Sequence, residues 1–154
     1  MIATLIPFAV AATLIAAVVI DFRTGRIPNW MSYIFIGLFV LLVAVSPYKV
    51  TFAWQLGFAT VAFALGLALY ALLGFGAGAV KLLFGAALFL PMSQPVKIIG
   101  LLLLTLFLGG LLVNMARNKF GSEDSSWRVM RERIMPMSLP VAATSLIAIF
   151  WLQA

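Results

Sequence analysis

The chain has 154 residues, of which 65% are hydrophobic and 9% are charged, and its formal net charge is +6. Soluble domains carry about 25% charged residues, so this composition predicts an integral membrane protein with one compact domain over residues 1–154. The sequence contains no cysteine and no histidine, which excludes disulfides and zinc sites built on thiolates or imidazoles. Positive charge in such a protein is typical of topology signals and contacts with membrane lipids, so we expect no nucleic-acid partner.

Six apolar runs predict an all-α fold with six transmembrane helices, because about 20 apolar residues in a helix cross a bilayer core. The runs cover approximately residues 2–20, 30–46, 52–73, 78–92, 98–116 and 134–152. The first run lacks the basic segment that precedes the apolar part of a signal peptide, so we expect a retained span rather than a cleaved one.

The basic residues of the loops indicate the orientation in the membrane. One set of alternating loops holds eight of them: Arg23, Arg26, Lys81, Arg117, Lys119, Arg128, Arg131 and Arg133. The other set holds Lys49 and Lys97. Because loops rich in lysine and arginine remain in the cytoplasm, we expect both termini outside. The loops at residues 21–29, 74–81 and 117–133 are then cytoplasmic, which brings the first two to the same face.

The loop at residues 117–133 is the longest polar segment of the chain. We interpret it as a solvated, partly helical loop that contacts anionic lipid headgroups. A specific partner-binding role is the alternative interpretation.

Asp21 is the first acidic residue of the chain and lies where the first apolar run ends. An acid at the edge of a membrane span is costly, which makes it a functional hypothesis by default. A structural ion pair with Arg23 or Arg26 is the alternative. After the loop, Pro28 fixes the backbone before the second span, and Asn29 is suited to cap that helix.

A glycine-rich segment, Gly74-Phe75-Gly76-Ala77-Gly78, separates the third and fourth runs. Each glycine weakens a helix by about 1 kcal/mol relative to alanine, so this segment predicts a break where the backbone turns or closely approaches another group. Gly66 and Gly85 are interpreted instead as small residues that allow helices to pack closely.

These two segments resemble the motifs of type IV prepilin peptidases, which are intramembrane aspartic proteases. The run Asp21-Phe22-Arg23-Thr24-Gly25-Arg26-Ile27-Pro28-Asn29 resembles the first motif, in which an aspartate at the end of the first span precedes Ile-Pro-Asn. The run Gly76-Ala77-Gly78-Ala79-Val80-Lys81 resembles the second, Gly-x-Gly-Asp-x-Lys, except that Ala79 stands in place of the aspartate. The resemblance covers essentially the whole chain and is greatest to the small peptidases of tight-adherence (Flp-type) pilus systems.

The resemblance implies cleavage of a prepilin after a glycine, at the cytoplasmic face of the bacterial inner membrane. The implied partners are the leader peptide of the prepilin with its apolar helix, and possible pilus-assembly machinery; no metal and no cofactor are implied. The implied catalytic positions are Asp21 and Ala79, and the implied site-shaping residues are Gly76, Gly78, Lys81, Pro28 and Asn29. Larger family members carry a cysteine-rich cytoplasmic domain, which has no counterpart here, so N-methyltransferase activity is not carried over.

Ala79 removes one of the two carboxylates that aspartic proteolysis needs, so we expect the chain as written to be inactive or nearly so. Lys81 is expected to pair with Asp21, or else to serve as a topology-setting cation. An engineered substitution is the favoured explanation of Ala79, and a natural non-cleaving pseudopeptidase that binds prepilins as a scaffold is the alternative. A small transporter that uses Asp21 and Lys81 is a third hypothesis, which no internal repeat supports.

Overall fold

The computed structural model describes residues 2–46, 50–73, 76–91, 93–121, 125–131 and 135–152. All regular secondary structure in these residues is helical, which confirms the all-α prediction. The helices are α1 (Ile2–Thr24), α2 (Asn29–Val45), α3 (Val50–Leu73), α4 (Ala77–Ala87), α5 (Pro95–Phe120), α6 (Arg128–Arg131) and α7 (Ser138–Trp151).

Three of the helices in the described part of the chain are long and apolar enough to cross a membrane. They contain the candidate spans Thr4–Thr24, Phe52–Leu72 and Pro95–Phe120. The apolar helices α2, α4 and α7 are shorter, with 17, 11 and 14 residues. Each of the six apolar runs therefore contains one of these helices, and three of the helices have the length of a complete span.

Helix α4 packs against α2, α3 and α7, and α7 also packs against α1 and α5. Two glycines allow this close packing. A Cβ atom on Gly66 of α3 would lie 2.9 Å from Val80 Cγ1, and a Cβ on Gly85 of α4 would lie 2.7 Å from Phe35 Cδ2. Small residues at helix contacts permit such approaches in membrane proteins, in agreement with the packing role expected of Gly66 and Gly85.

Apolar side chains form the interior and also cover much of the outside. Leu14, Phe35 and Leu82 are fully buried in the core. Large apolar side chains such as Trp54 and Phe107 are exposed on α3 and α5. Exposed apolar surface of this extent is costly in water but suits a helix bundle that is surrounded by lipid.

The end of the fourth predicted span and the start of the fifth differ from the observed ends of α4 and α5. Helix α4 ends at Ala87, whereas the predicted run 78–92 continues further. The residues before Pro91 turn instead, because a proline disfavours helical conformation in the residue that precedes it. Helix α5 begins with Pro95 in its first turn, where a proline costs no hydrogen bond, so it starts three residues before the predicted run 98–116.

Candidate active site

Asp21 lies in the last turn of α1 and not in a loop, because α1 continues to Thr24 beyond the predicted end at residue 20. The helix ends at Gly25, which adopts φ 63°. The Gly25 N–H donates to Asp21 O at 2.7 Å, an arrangement typical of a helix that ends in a left-handed glycine. The backbone of Asp21 is therefore fixed by regular helix.

The carboxylate of Asp21 is buried, with 8% of the residue exposed, and it contacts the first residue of α7. Ser138 Oγ donates to Asp21 Oδ2 at 2.6 Å, and Ser138 N donates to the same oxygen at 3.3 Å. No residue in the described part of the chain forms an ion pair with Asp21. This corrects the expectation of a pair with Lys81 and the alternative of pairs with Arg23 or Arg26.

Arg23, Arg26 and Arg128 lie near this end of α1 but form no ion pair with Asp21. The Arg23 guanidinium carbon lies 5.1 Å from the ring centroid of Trp127, a cation–π contact. Arg26 lies along the cavity described below, and Arg128 Nη1 donates to Thr24 O at 3.2 Å. A cation at this last carbonyl is favourable because it faces the negative end of the helix dipole of α1.

The segment that contains α6 is more tightly attached than a solvated loop. Trp127 contacts Phe22 edge-on with ring centroids 6.5 Å apart, Val129 is buried, and Arg117 Nε donates to Val129 O at 3.0 Å. The expectation of a partly helical segment is therefore confirmed. The expectation that it is solvated is not, because residues 125–131 pack across the end of α1. Residues 122–124 and 132–134 lie outside the described residues.

The glycine motif forms the start of α4. Gly76 precedes the helix in extended conformation, with φ −63° and ψ 129°, and the first turn contains Ala77, Gly78 and Ala79. A Cβ on Gly78 would lie 3.0 Å from Ile27 Cβ and 3.2 Å from Ile27 N, whereas a Cβ on Gly76 would meet nothing within 4 Å. Gly78 is thus where α4 closely approaches the α1–α2 connection; Gly74 and Phe75 lie outside the described residues.

We expect Gly78→Ala to destabilise the protein more than Gly76→Ala does, because only the Cβ at position 78 meets other atoms within 4 Å. The added methyl at position 78 meets backbone and a β-branched side chain, a type of overpacking that costs about 1–3 kcal/mol. A gain of up to about 1 kcal/mol in helix propensity offsets part of this cost. Thermal unfolding of the two variants in the same detergent measures the difference, and equal melting temperatures would contradict the close approach.

Lys81 joins the two motifs through Asn29 rather than through Asp21. Lys81 Nζ donates to Asn29 Oδ1 at 2.7 Å. The side chain of Asn29 makes no capping bond to α2, whose N-cap residue is Pro28 in extended conformation. The expectation that Asn29 caps α2 is therefore wrong, because Asn29 is the first residue inside the helix, and its side-chain oxygen accepts from a lysine of α4. Pro28 does lie at the start of the second helix, where its backbone was expected to be fixed.

A cavity of ≈550 Å³ lies between the end of α1, the start of α4 and the α6–α7 connection. Asp21, Gly76, Gly78, Ala79 and Lys81 all line it. The structure thus brings the two sequence motifs together at one end of the bundle. Ala79 is itself buried, with 5% of the residue exposed.

Asp21 is the one acidic residue among the described residues that line this cavity, together with the cations Arg26, Lys81 and Arg128. A single carboxylate can accept a proton from water, but general acid assistance needs a second group that can donate one. The described residues contain no cluster of three metal-ligating side chains. The chemistry available to the described residues of this cavity is therefore that of one carboxylate, Asp21, with three cations around it.

Sequence reasoning missed Ser138. The sixth apolar run covers residues 134–152, whereas α7 begins at Ser138; residues 132–134 lie outside the described residues. A serine at a helix start is typically interpreted as the cap of its own helix. Its position between Pro136 and Pro140 indicated a helix start, but nothing in the sequence indicated a bond to Asp21, 117 residues away.

Comparison with known proteins identifies the family. The model of the type IV leader peptidase family matches residues 8–114, a range that exceeds half of the chain and contains Asp21 and the glycine motif. Searches among curated proteins and among solved structures found no match. The chain therefore belongs to the type IV leader peptidase family, whose members are aspartic prepilin peptidases of the inner membrane.

Proposed function

We propose that this chain is a small prepilin peptidase of the tight-adherence (Flp-type) class in which the second catalytic aspartate is replaced by Ala79, so that it does not cleave as written. One observation carries the proposal: Asp21 and Ala79 line the same cavity, as the two catalytic positions of one active site must. The proposed substrate is the leader of a type IV prepilin together with the apolar helix that follows it.

The chemistry of the complete site requires two carboxylates. When two lie close together they cannot both ionise, so one is charged and the other protonated. The charged one takes a proton from water, whose oxygen forms a bond to the scissile carbonyl carbon while the protonated one gives its proton to the carbonyl oxygen. The tetrahedral intermediate then collapses: the carboxyl that took the proton from water gives it to the amine nitrogen as the C–N bond breaks, and the other carboxylate takes a proton from a hydroxyl of the intermediate, which returns the pair to its starting state. The methyl group of Ala79 can neither donate nor accept a proton.

The proposed topology has six spans with both termini outside and the cavity at the cytoplasmic face. The distribution of basic residues between the loops supports this orientation. Helix α4 is only 11 residues long, about 16 Å, or roughly half of a bilayer core. Such a short helix is tolerated at membrane depth where protein surrounds it, and α4 packs against α2, α3 and α7.

We expect the chain as written to bind a cognate prepilin and leave its leader attached, because the cavity is present but the second acid is not. Co-expression followed by affinity capture of the peptidase, with gel analysis of the prepilin, measures both properties. Efficient leader removal by the unaltered chain would contradict the proposal. Capture should depend on the leader, so a prepilin that lacks it is the control.

A natural non-cleaving scaffold of the pilus assembly site is the second candidate. The observation that favours it is the hydrogen bonding of Asp21 to the start of α7, which gives this acid a structural role that persists without catalysis. Prepilin capture with no processing even after Ala79→Asp would support the scaffold. The codon at position 79 of the source gene separates an engineered substitution from a natural one.

A further inference from the structure

The first residue of α7 offers two hydrogen-bond donors to the carboxylate of Asp21. The hydroxyl is 2.6 Å and the backbone N–H 3.3 Å from Oδ2. The first four N–H groups of a helix have no partner within it, and the positive end of the helix dipole lies there. Asp21 of α1 therefore caps α7 from across the bundle, since the N-cap residue of α7, Met137, makes no side-chain capping bond.

The bond is enclosed by protein. Ser138 is 0% exposed and Asp21 is 8% exposed. Hydrogen bonds to a charged group are stronger than neutral ones, and burial makes the loss of one partner costly. Loss of the bond between Ser138 and Asp21 should therefore cost more free energy than loss of a hydrogen bond at the protein surface.

The geometry leaves the other carboxylate oxygen available. Both bonds from Ser138 end on Oδ2, and no other donor in the described part of the chain bonds to Asp21. Asp21 also lines the cavity, where water or a substrate carbonyl would bind. Ser138 thus occupies one oxygen and fixes the rotation of the carboxylate about its bond to Cβ.

A second serine of the same helix shows that this arrangement is specific to position 138. Ser145 is also buried, but its hydroxyl donates to Val141 O of its own helix at 2.7 Å. Ser145 therefore provides a matched control, because its replacement by alanine removes a buried hydroxyl from α7 without touching Asp21.

We propose that Ser138 is the positioning residue of Asp21: its hydroxyl holds Oδ2 and thereby orients Oδ1 for proton transfer with water in the cavity. This role in cleavage rests on the proposed peptidase function. The hydrogen bond itself exists without catalysis, so it can be tested separately.

Infrared spectroscopy of the chain as it stands tests the hydrogen bond. Protein labelled with ¹³C at the aspartate carboxyl contains two labelled side chains, Asp21 and Asp124, and the spectrum of Asp21→Asn identifies the band of Asp21. We expect this band to move in Ser138→Ala, to return towards its original position in Ser138→Thr, and to remain unmoved in Ser145→Ala. An unmoved band in folded Ser138→Ala overturns the proposal.

If Ser138→Ala does not fold, Ser138→Cys replaces it in the test, because cysteine is nearly isosteric with serine and a weaker donor. The Asp21 band should move in Ser138→Cys, and an unmoved band in that variant also overturns the proposal.

Cleavage kinetics in the Ala79→Asp background test the role of Ser138 in the reaction. Adding Ser138→Ala should lower kcat about 10- to 100-fold, the loss expected for one hydrogen bond to a charged group, with little change in KM. Ser138→Thr should recover most of kcat, and Ser145→Ala should leave it unchanged. Equal losses in the variants at 138 and 145 overturn the positioning role. If the Ala79→Asp protein with Ser138 intact cleaves no prepilin, the proposed function fails, whereas the infrared result still decides whether Ser138 holds Asp21.

Discussion

Ala79→Asp is expected to convert this chain from a non-cleaving protein into a prepilin peptidase. The substitution introduces a carboxylate at the start of α4 in the cavity that contains Asp21. General acid–base assistance contributes about 10²–10⁴-fold to a rate, and groups that act as a unit lose nearly all of their effect when one is missing. We therefore expect a gain in leader cleavage of at least about 10²-fold, measured by the fraction of co-expressed prepilin that loses its leader.

Ala77→Asp is the matched control for this gain. Ala77 lines the same cavity and belongs to the same first helical turn, where an acidic side chain is equally favourable to the helix dipole. It is exposed, whereas Ala79 is buried. Cleavage should appear with the carboxylate at position 79 and be absent with the carboxylate at position 77. Equal activity of the two variants would mean that any added acid suffices and that no specific dyad exists.

Asp21→Asn in the Ala79→Asp background is expected to abolish the restored cleavage. An asparagine cannot take a proton from water, so the loss should again be at least about 10²-fold. Its amide oxygen can still accept the hydrogen bond from Ser138, so the fold should be retained. Asp21→Ala should also lose cleavage, but it leaves the buried Ser138 hydroxyl without its acceptor, which costs about 1–3 kcal/mol of stability.

Paired measurements of cleavage and thermal unfolding separate the two roles of Asp21. Asp124→Asn, the replacement of the other aspartate of the chain, is the control and should change neither quantity. If Asp21→Asn cleaves as well as its parent, Asp21 is structural only, and the account of the site is wrong.

Apolar patterning predicted the positions of α1 to α5 and α7 well because each of these helices is built from a continuous apolar run. The ends of the helices were less predictable. The first run appeared to stop at the charge of Asp21, but the backbone remains helical until Gly25, where φ 63° ends it. Hydropathy reports where a side chain prefers to lie, whereas the end of a helix depends on backbone conformation.

The grouping of the two motifs at one end of the bundle was also predictable, since charge distribution placed their loops on the same side. The partners within the site were not. Lys81 contacts Asn29 instead of Asp21, and Asp21 contacts Ser138. These contacts depend on the rotation of each helix about its axis and on its position along the bundle. For α4, both are constrained by close packing at Gly66 and Gly85 and not by the local sequence.

The most direct test of the account is the N-terminal mass of a cognate prepilin recovered from membranes that contain the Ala79→Asp protein. We predict a new N-terminus immediately after the glycine that ends the leader, which should be absent with the chain as written and absent again when Asp21→Asn is added. A fully intact leader in the presence of folded, membrane-inserted Ala79→Asp protein would contradict the central claim that position 79 is the vacant half of an aspartic dyad.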